Sequence, residues 1–144
     1  MRQGKFAMDE GMLFDSSSLI YAIKLKMVET LYGNYVQYLT VYEAINALWK
    51  EVILTKTIHV KEAMKLCEIL SKILNTMKML SPSPYEKEIL DISIKHKIPA
   101  YDASYIVLAK KNNLALVTED RTLKKEAKKY VKALSLKEVA GRFT

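Results

Sequence analysis

Four carboxylates in this basic chain sit where an α/β fold would expose them. Asp15 directly follows the apolar run Met12-Leu13-Phe14, and Asp120 lies two residues beyond Thr118, the end of the run Leu114-Ala115-Leu116-Val117-Thr118. Glu43 falls in the first turn of an expected helix after a second possible strand, and Asp102 opens the helix that precedes the Leu114 strand. Ligands of an open parallel sheet bind in the crevice outside the carboxyl ends of its strands, so short helix-to-strand connections bring at least three of the four acids to one rim. Carboxylates crowded together repel unless a multivalent cation neutralises them, and a shared rim therefore implies metal. Hard oxygen donors with no cysteine or histidine nearby suit Mg²⁺ or Mn²⁺ better than zinc. Such ions make water nucleophilic and stabilise the leaving oxygen of an in-line phosphodiester displacement. Each acid taken singly also has a structural explanation. Thr40-Val41-Tyr42-Glu43 is a formal capping box, and Asp15 or Asp102 can cap a helix or offset its dipole.

The elements that must position these acids are legible as hydrophobic periodicity. Met12-Leu13-Phe14, three serines and Leu19-Ile20-Tyr21-Ala22-Ile23 suggest strand, turn and helix, and a second short strand is expected over residues 35–39 after the Gly33-Asn34 turn. From Thr40, the apolar stripe Val41, Ile45, Leu48 and Val52 predicts a helix with Glu43, Asn46 and Lys50 on a separate stripe. Residues 60–79 repeat the helical pattern through Ala63, Leu66, Cys67, Leu70, Leu74 and Met77 until Ser81-Pro82-Ser83-Pro84 breaks it. Ser83, Pro84 and Glu86 predict a further helix to about residue 97, with Pro84 at its first position. Residues 101–111 are nearly apolar all round, as in a buried helix, and Asn112-Asn113 can end it. The Leu114 run reads as a strand covered on both faces. A helix through Leu123, Ala127 and Tyr130, a short strand over residues 131–134 and a terminal helix from about Leu136 complete an α/β domain with a short central parallel sheet flanked by helices.

Composition narrows the classes. At 144 residues and 50% hydrophobic, the chain suits one domain with a real core. A net charge of +7 favours an anionic partner. The single cysteine, Cys67, excludes an internal disulfide or a cysteine-rich zinc site; it reads as a small buried hydrophobe and fits a reducing cytoplasm. No apolar run reaches the roughly 18 residues of a membrane span, and Met1-Arg2-Gln3-Gly4-Lys5 lacks a signal-peptide core. No glycine pattern suggests a phosphate-binding loop.

The segments carrying the acids resemble a known family, the PIN domain, and in particular its VapC-type toxin branch, from residue 12 to about residue 136. The likeness rests on Leu13-Phe14-Asp15-Ser16-Ser17, on Thr40-Val41-Tyr42-Glu43-Ala44-Ile45-Asn46-Ala47-Leu48, on Ile98-Pro99-Ala100-Tyr101-Asp102-Ala103-Ser104-Tyr105 with Ala109, and on Leu116-Val117-Thr118-Glu119-Asp120-Arg121-Thr122-Leu123. The resemblance implies a PIN-like fold in which Asp15, Glu43, Asp102 and Asp120 are catalytic and hold Mg²⁺ or Mn²⁺ for RNA hydrolysis, with Ser16 or Ser17 and Thr118 lining the same site. It further implies a small antitoxin partner and a homodimer. The first acid comes later here than is usual in the family, so residues 1–11 are read as an N-terminal extension or a misassigned start, with Met8 or Met12 as alternative initiators, and residues 12–144 as a single nuclease domain.

Other residues carry plainer expectations. Lys50 and Arg121 are candidates for contacts with RNA phosphates; Lys124, Lys125, Lys128 and Lys129 either extend this path or, the plainer reading, form a solvated helix face. His59 and His96 lie outside the acid motifs, which speaks against a two-histidine mechanism. Tyr42, Trp49 and Tyr101 are read as packing residues rather than base-stacking ones. The expected function is a metal-dependent endoribonuclease, the toxin of a VapBC-type pair. The alternatives are a housekeeping RNA-processing or decay nuclease and a catalytically silent PIN-like module that binds RNA or protein.

Overall fold

The computed structural model describes residues 11–141. Apart from Gly11, the segment read as an extension or a misassigned start lies outside these residues. Five strand-to-helix steps follow one another: β1 (Met12–Phe14) leads to α1 (Ser16–Lys24), and β2 (Tyr35–Gln37) to α2 (Tyr38–Ile53) and α3 (Val60–Leu74). Then β3 (Lys78–Leu80) leads to α4 (Glu86–His96) and α5 (Ala100–Lys111), β4 (Ala115–Val117) to α6 (Arg121–Ala127), and β5 (Ala133–Leu134) to α7 (Leu136–Gly141). Every strand pairing is parallel, in the order β3-β2-β1-β4-β5. The chain leaves β1 for β2 on one side and later returns to place β4 on the other, so strand order reverses between β1 and β4, which makes the crevice at their carboxyl ends the natural ligand site.

Period-2 alternation divides the core between the two sheet faces. Met12 and Phe14 of β1 and Ala115 and Val117 of β4 pack with Leu19, Ile23, Ala44, Leu48, Leu70 and Val139. Leu13 and Leu116 point the other way, among Ile92, Ile106, Leu108 and Leu123. Both faces are covered, which is why these strands read as unbroken apolar runs.

Several expectations need correction. The second strand ends at Gln37 and α2 begins at Tyr38, two residues before Thr40. The Gln37 backbone N–H donates to Thr40 Oγ1 at 3.4 Å, so Thr40 serves as the third helical residue of the cap, and the expected Thr40–Glu43 box is not the one used. The buried face of α2 is Thr40, Ala44 and Leu48, while Ile45 is 46% exposed. The small Ala44 and the hydrogen-bonded Thr40 allow close approach and turn the larger side chains outward. Helix α3 stops at Leu74, and Lys78 and Met79, read as the end of the helical pattern, belong with Leu80 to the edge strand β3. Pro84 precedes α4 rather than opening it, although Ser83 Oγ does donate to Glu86 Oε2 at 2.5 Å. Tyr130 lies beyond α6. Cys67 is half-buried against the core, not enclosed in it.

Candidate active site

Asp15 is the fixed centre of the site. It caps α1 and is only 5% exposed, so its carboxylate must be satisfied by protein donors. Oδ1 accepts from the Ser18 backbone N–H at 2.9 Å and from Ser17 Oγ at 2.8 Å, and Oδ2 accepts from Thr118 Oγ1. Ser18 Oγ stands 2.9 Å from the same Oδ1 and 2.7 Å from Val117 O, sharing one proton between the tips of β1 and β4. Burial pushes Asp15 above the ordinary carboxylate value, against the opposing pull of the hydrogen bonds from Thr118, Ser18 and Ser17. Of the expected accessory residues, Ser17 and Thr118 touch Asp15. Ser18, hidden within a run of three serines, is the contact the sequence reading passed over.

Asp120 is held on the neighbouring tip. It caps α6, with Oδ1 accepting from Thr122 N at 2.9 Å and Leu123 N at 3.1 Å, and its own N–H donates to Thr118 Oγ1 at 3.0 Å. Thr118 thus links two of the four acids. One Asp120 oxygen is spent on the cap, leaving the other for a ligand. Glu119, between them, accepts from Leu136 N and so fastens α7.

Glu43 projects from α2, and its Oε1 accepts a 2.7 Å hydrogen bond from the hydroxyl of Tyr105 on α5. Burial raises Glu43, the Tyr105 hydrogen bond lowers it in part, and the charge of Asp15 raises it again. Asp102, in the first turn of α5, is raised by burial and then by the charges of Asp120, Glu43 and Asp15, in that order. Every other candidate acid therefore acts on Asp102 through space. Sequence order alone left this convergence open.

Oxygen donors that repel one another in this way fit a hard divalent cation. Among the described residues, no three histidine, cysteine or acidic side chains close into a compact metal cage. An arrangement wider than a cage suits Mg²⁺, which keeps several waters and needs only one or two carboxylates directly. The same electrostatics fix the pH response without metal. Asp15, Glu43 and Asp102 bind protons more readily folded than unfolded, so folding gains stability as pH falls from neutrality through their raised values. Glu86, Glu126 and Glu138, all lowered, the last to about 2, lose their contribution at still lower pH. Thermal denaturation in chelator is expected to give a stability maximum at mildly acidic pH; a steady decline from neutrality downward would contradict the raised values.

Other candidates fall elsewhere. Lys50 and Arg121 are exposed, on α2 and at the first position of α6. In the lysine run, Lys124 pairs with Glu138, and Lys129 with Glu126 at 2.8 Å, in keeping with a solvated face. His96 meets Tyr130 Oη at 2.5 Å and Glu126 at 3.3 Å, while His59 caps α3. Tyr42, Trp49 and Tyr101 do not pack in the core: they are 74%, 50% and 63% exposed and, with Glu43 and Asn46, line a hollow of about 740 Å³ beside the acids. Their aromatic character gave no means of telling a buried ring from one turned outward.

Residues 12–129 match the PIN domain family. The chain is 38% identical over 86 residues to exonuclease VapC9 of Pyrobaculum aerophilum, a match covering 60% of this chain and 61% of that one. It is 33% identical over 85 residues to ribonuclease VapC3 of the same organism, covering 59% and 64% respectively. The matches thus span somewhat under two thirds of these relatives' length. Among solved structures, PAE2754 from Pyrobaculum aerophilum superposes with a TM-score of 0.77 at 32% identity, covering 97% of this chain and 92% of that one. A chain of FitAB bound to an IR36 DNA fragment shares the fold, with a TM-score of 0.58 at 16% identity over 87% of this chain and 94% of that one. With a family match across residues 12–129 and the same fold as a 32% identical solved structure, the chain belongs to the PIN-domain family, and the relatives it resembles in sequence carry VapC names.

Proposed function

We propose that this protein is a metal-dependent endoribonuclease that hydrolyses RNA phosphodiesters, and that it is the toxin of a VapBC-type toxin-antitoxin pair. The observation that carries the reading is geometric: Thr118 joins Asp15 and Asp120 at the carboxyl ends of β1 and β4, and Tyr105, one turn along α5 from Asp102, holds Glu43. Asp15, Glu43, Asp102 and Asp120 form the catalytic group and hold Mg²⁺ or Mn²⁺. Bound there, the cation supplies charge neutralisation and lowers the pKa of water for attack on phosphorus. Asp15, its two oxygens oriented by Ser17, Ser18 and Thr118, is the rigid ligand. Glu43 and Asp102 approach from α2 and α5, and Asp120 contributes the oxygen its cap leaves free. Ser16 adjoins this set, and Lys50 and Arg121 neutralise phosphates of the bound strand. Residues 12–144 act as one nuclease domain.

The relatives are named as an exonuclease and a ribonuclease. The test is incubation of cellular RNA with the metal-stripped chain, followed by sequencing of the product ends. Cleavage is expected on addition of Mg²⁺ or Mn²⁺ and should stop in chelator. RNA bound yet left intact would favour a silent binding module instead. Cleavage without growth arrest on expression would favour housekeeping processing.

An active ribonuclease of this kind endangers its own cell. The partner we propose is a small antitoxin whose basic side chain pairs with the four acids and displaces metal. Both would work in the reducing cytoplasm, where a lone Cys67 is at home. No helix among the described residues is long and apolar enough to cross a membrane.

A homodimer completes the proposal. It is supported by the exposed apolar stripe Tyr38, Ile45, Trp49 and Ile53, which falls along one side of α2. Trp49→Glu is expected to halve the mass seen in sedimentation. A monomeric wild type, or an unchanged mass in the variant, would contradict the dimer.

A further inference from the structure

The largest fully buried side chain among the described residues is Tyr105, and its hydroxyl is not left among hydrocarbon. It donates to Glu43 Oε1 at 2.7 Å and stands 2.7 Å from Thr40 Oγ1. Thr40 Oγ1 is in turn the acceptor for the Gln37 backbone N–H at 3.4 Å. The direction of this chain is forced from both ends. A backbone N–H can only donate and an ionised carboxylate can only accept, while each hydroxyl has one proton to give. Gln37 N–H therefore donates to Thr40, Thr40 to Tyr105, and Tyr105 to Glu43. Burial keeps the tyrosine hydroxyl protonated far above any physiological pH, so it is a permanent donor. The second branch starts from the same residue. Gln37 Nε2 donates to Ser104 Oγ at 2.8 Å, and Ser104 Oγ donates to Tyr101 O at 2.5 Å, binding the end of β2 to the turn of α5 that carries Asp102. Gln37, Thr40 and Tyr105 are buried, so the bonds from Gln37 to Thr40 and Ser104 and from Thr40 to Tyr105 are shielded from water, while the Tyr105–Glu43 bond lies at the edge of the site.

We infer that Tyr105, oriented by Thr40 and Gln37, is a positioning residue that fixes Oε1 of Glu43 and commits Oε2 to the cation side of the site. This rests on the proposed metal site and deepens it. Glu43 sits on a long, flexible side chain of a half-buried helix face; without the tyrosine hydroxyl its carboxylate would sample several rotamers. Partners of metal ligands that orient a carboxylate in this way typically alter affinity by 10–100-fold on removal.

The test is Mn²⁺ binding by the metal-stripped full chain, read from the free-ion paramagnetic resonance signal, in wild type, Tyr105→Phe, Glu43→Gln and the double variant. Tyr105→Phe is expected to weaken Mn²⁺ binding roughly tenfold while still melting cooperatively. In the Glu43→Gln background the same change should have little further effect, because the hydroxyl acts through the carboxylate. In metal-free protein, the Glu43 carboxyl carbon resonance should shift in Tyr105→Phe at constant pH. A purely structural tyrosine would lower the melting temperature and leave Mn²⁺ affinity and that resonance unchanged, which would overturn the inference while the metal site stands. An equal loss of affinity in both backgrounds would overturn it as well. Wild type that binds no Mn²⁺ would instead refute the metal site itself and, with it, the positioning role built on it.

Discussion

Asp102→Asn is expected to abolish RNA cleavage while leaving a protein that melts at or above the wild-type temperature in chelator. The change removes one ligand charge and almost no volume. On the proposed metal role, several kcal/mol of transition-state charge stabilisation would depend on the site, and each ~1.4 kcal/mol is tenfold in rate, so the loss should reach about two to three orders of magnitude or more. The direction of the stability change follows from the neighbours. Asp120, Glu43 and Asp15 all disfavour a charge at position 102, so a neutral amide relieves repulsion that only metal otherwise offsets. Melting curves with and without Mg²⁺ separate the two effects: metal should stabilise wild type more than the variant. An unfolded variant would make Asp102 a structural residue, and an active one would remove it from the catalytic group.

Asp15→Ala should differ from Asp102→Asn by damaging the fold as well as the chemistry. The alanine leaves Ser18 N–H at the start of α1 without its cap, and strands the fully buried Thr118 hydroxyl. A lost cap costs ~1 kcal/mol and an orphaned buried hydroxyl about 1–3 kcal/mol. Relief from a buried charge returns part of this at neutral pH, leaving a net loss of about 2 kcal/mol. The denaturant midpoint in chelator measures it. Asp15→Asn, which keeps an acceptor oxygen, should be equally inactive but closer to wild type in stability. Unchanged stability in Asp15→Ala would mean that the donors around it find other partners and that the carboxylate does not organise the strand tips.

What could be read from the sequence, and what could not, follows from how far each signal reaches. The Leu114 run and the all-apolar helix after Asp102 were legible because a covered parallel sheet demands apolar residues on both faces. The order of the acids relative to those runs then placed Asp15 and Asp120 at strand ends. β3 escaped notice because three residues are too few to break the helical periodicity of α3. The phase of α2 was misjudged for a different reason. Its buried face contains Thr40, whose polarity is satisfied by Tyr105, a partner 65 residues away. A pattern of apolar side chains cannot report such a tertiary hydrogen bond. The same long-range contact hid Tyr105 as a partner of Glu43, and the turning outward of Ile45 and Trp49 follows from it. Ser18 was missed because a run of three serines gives no local reason to prefer one of them.

The central claim is that four acids and a divalent cation cut RNA internally, and covalently closed circular RNA tests it most directly, since it offers no end to an exonuclease. Wild type, freed of contaminating nucleases by purification alongside Asp102→Asn, would be incubated with the circle in Mg²⁺ and in chelator. The expected result is a linear product only with wild type in Mg²⁺. Linearisation in chelator or by Asp102→Asn would contradict the metal and acid chemistry, and an intact circle beside degraded linear RNA would contradict internal cleavage.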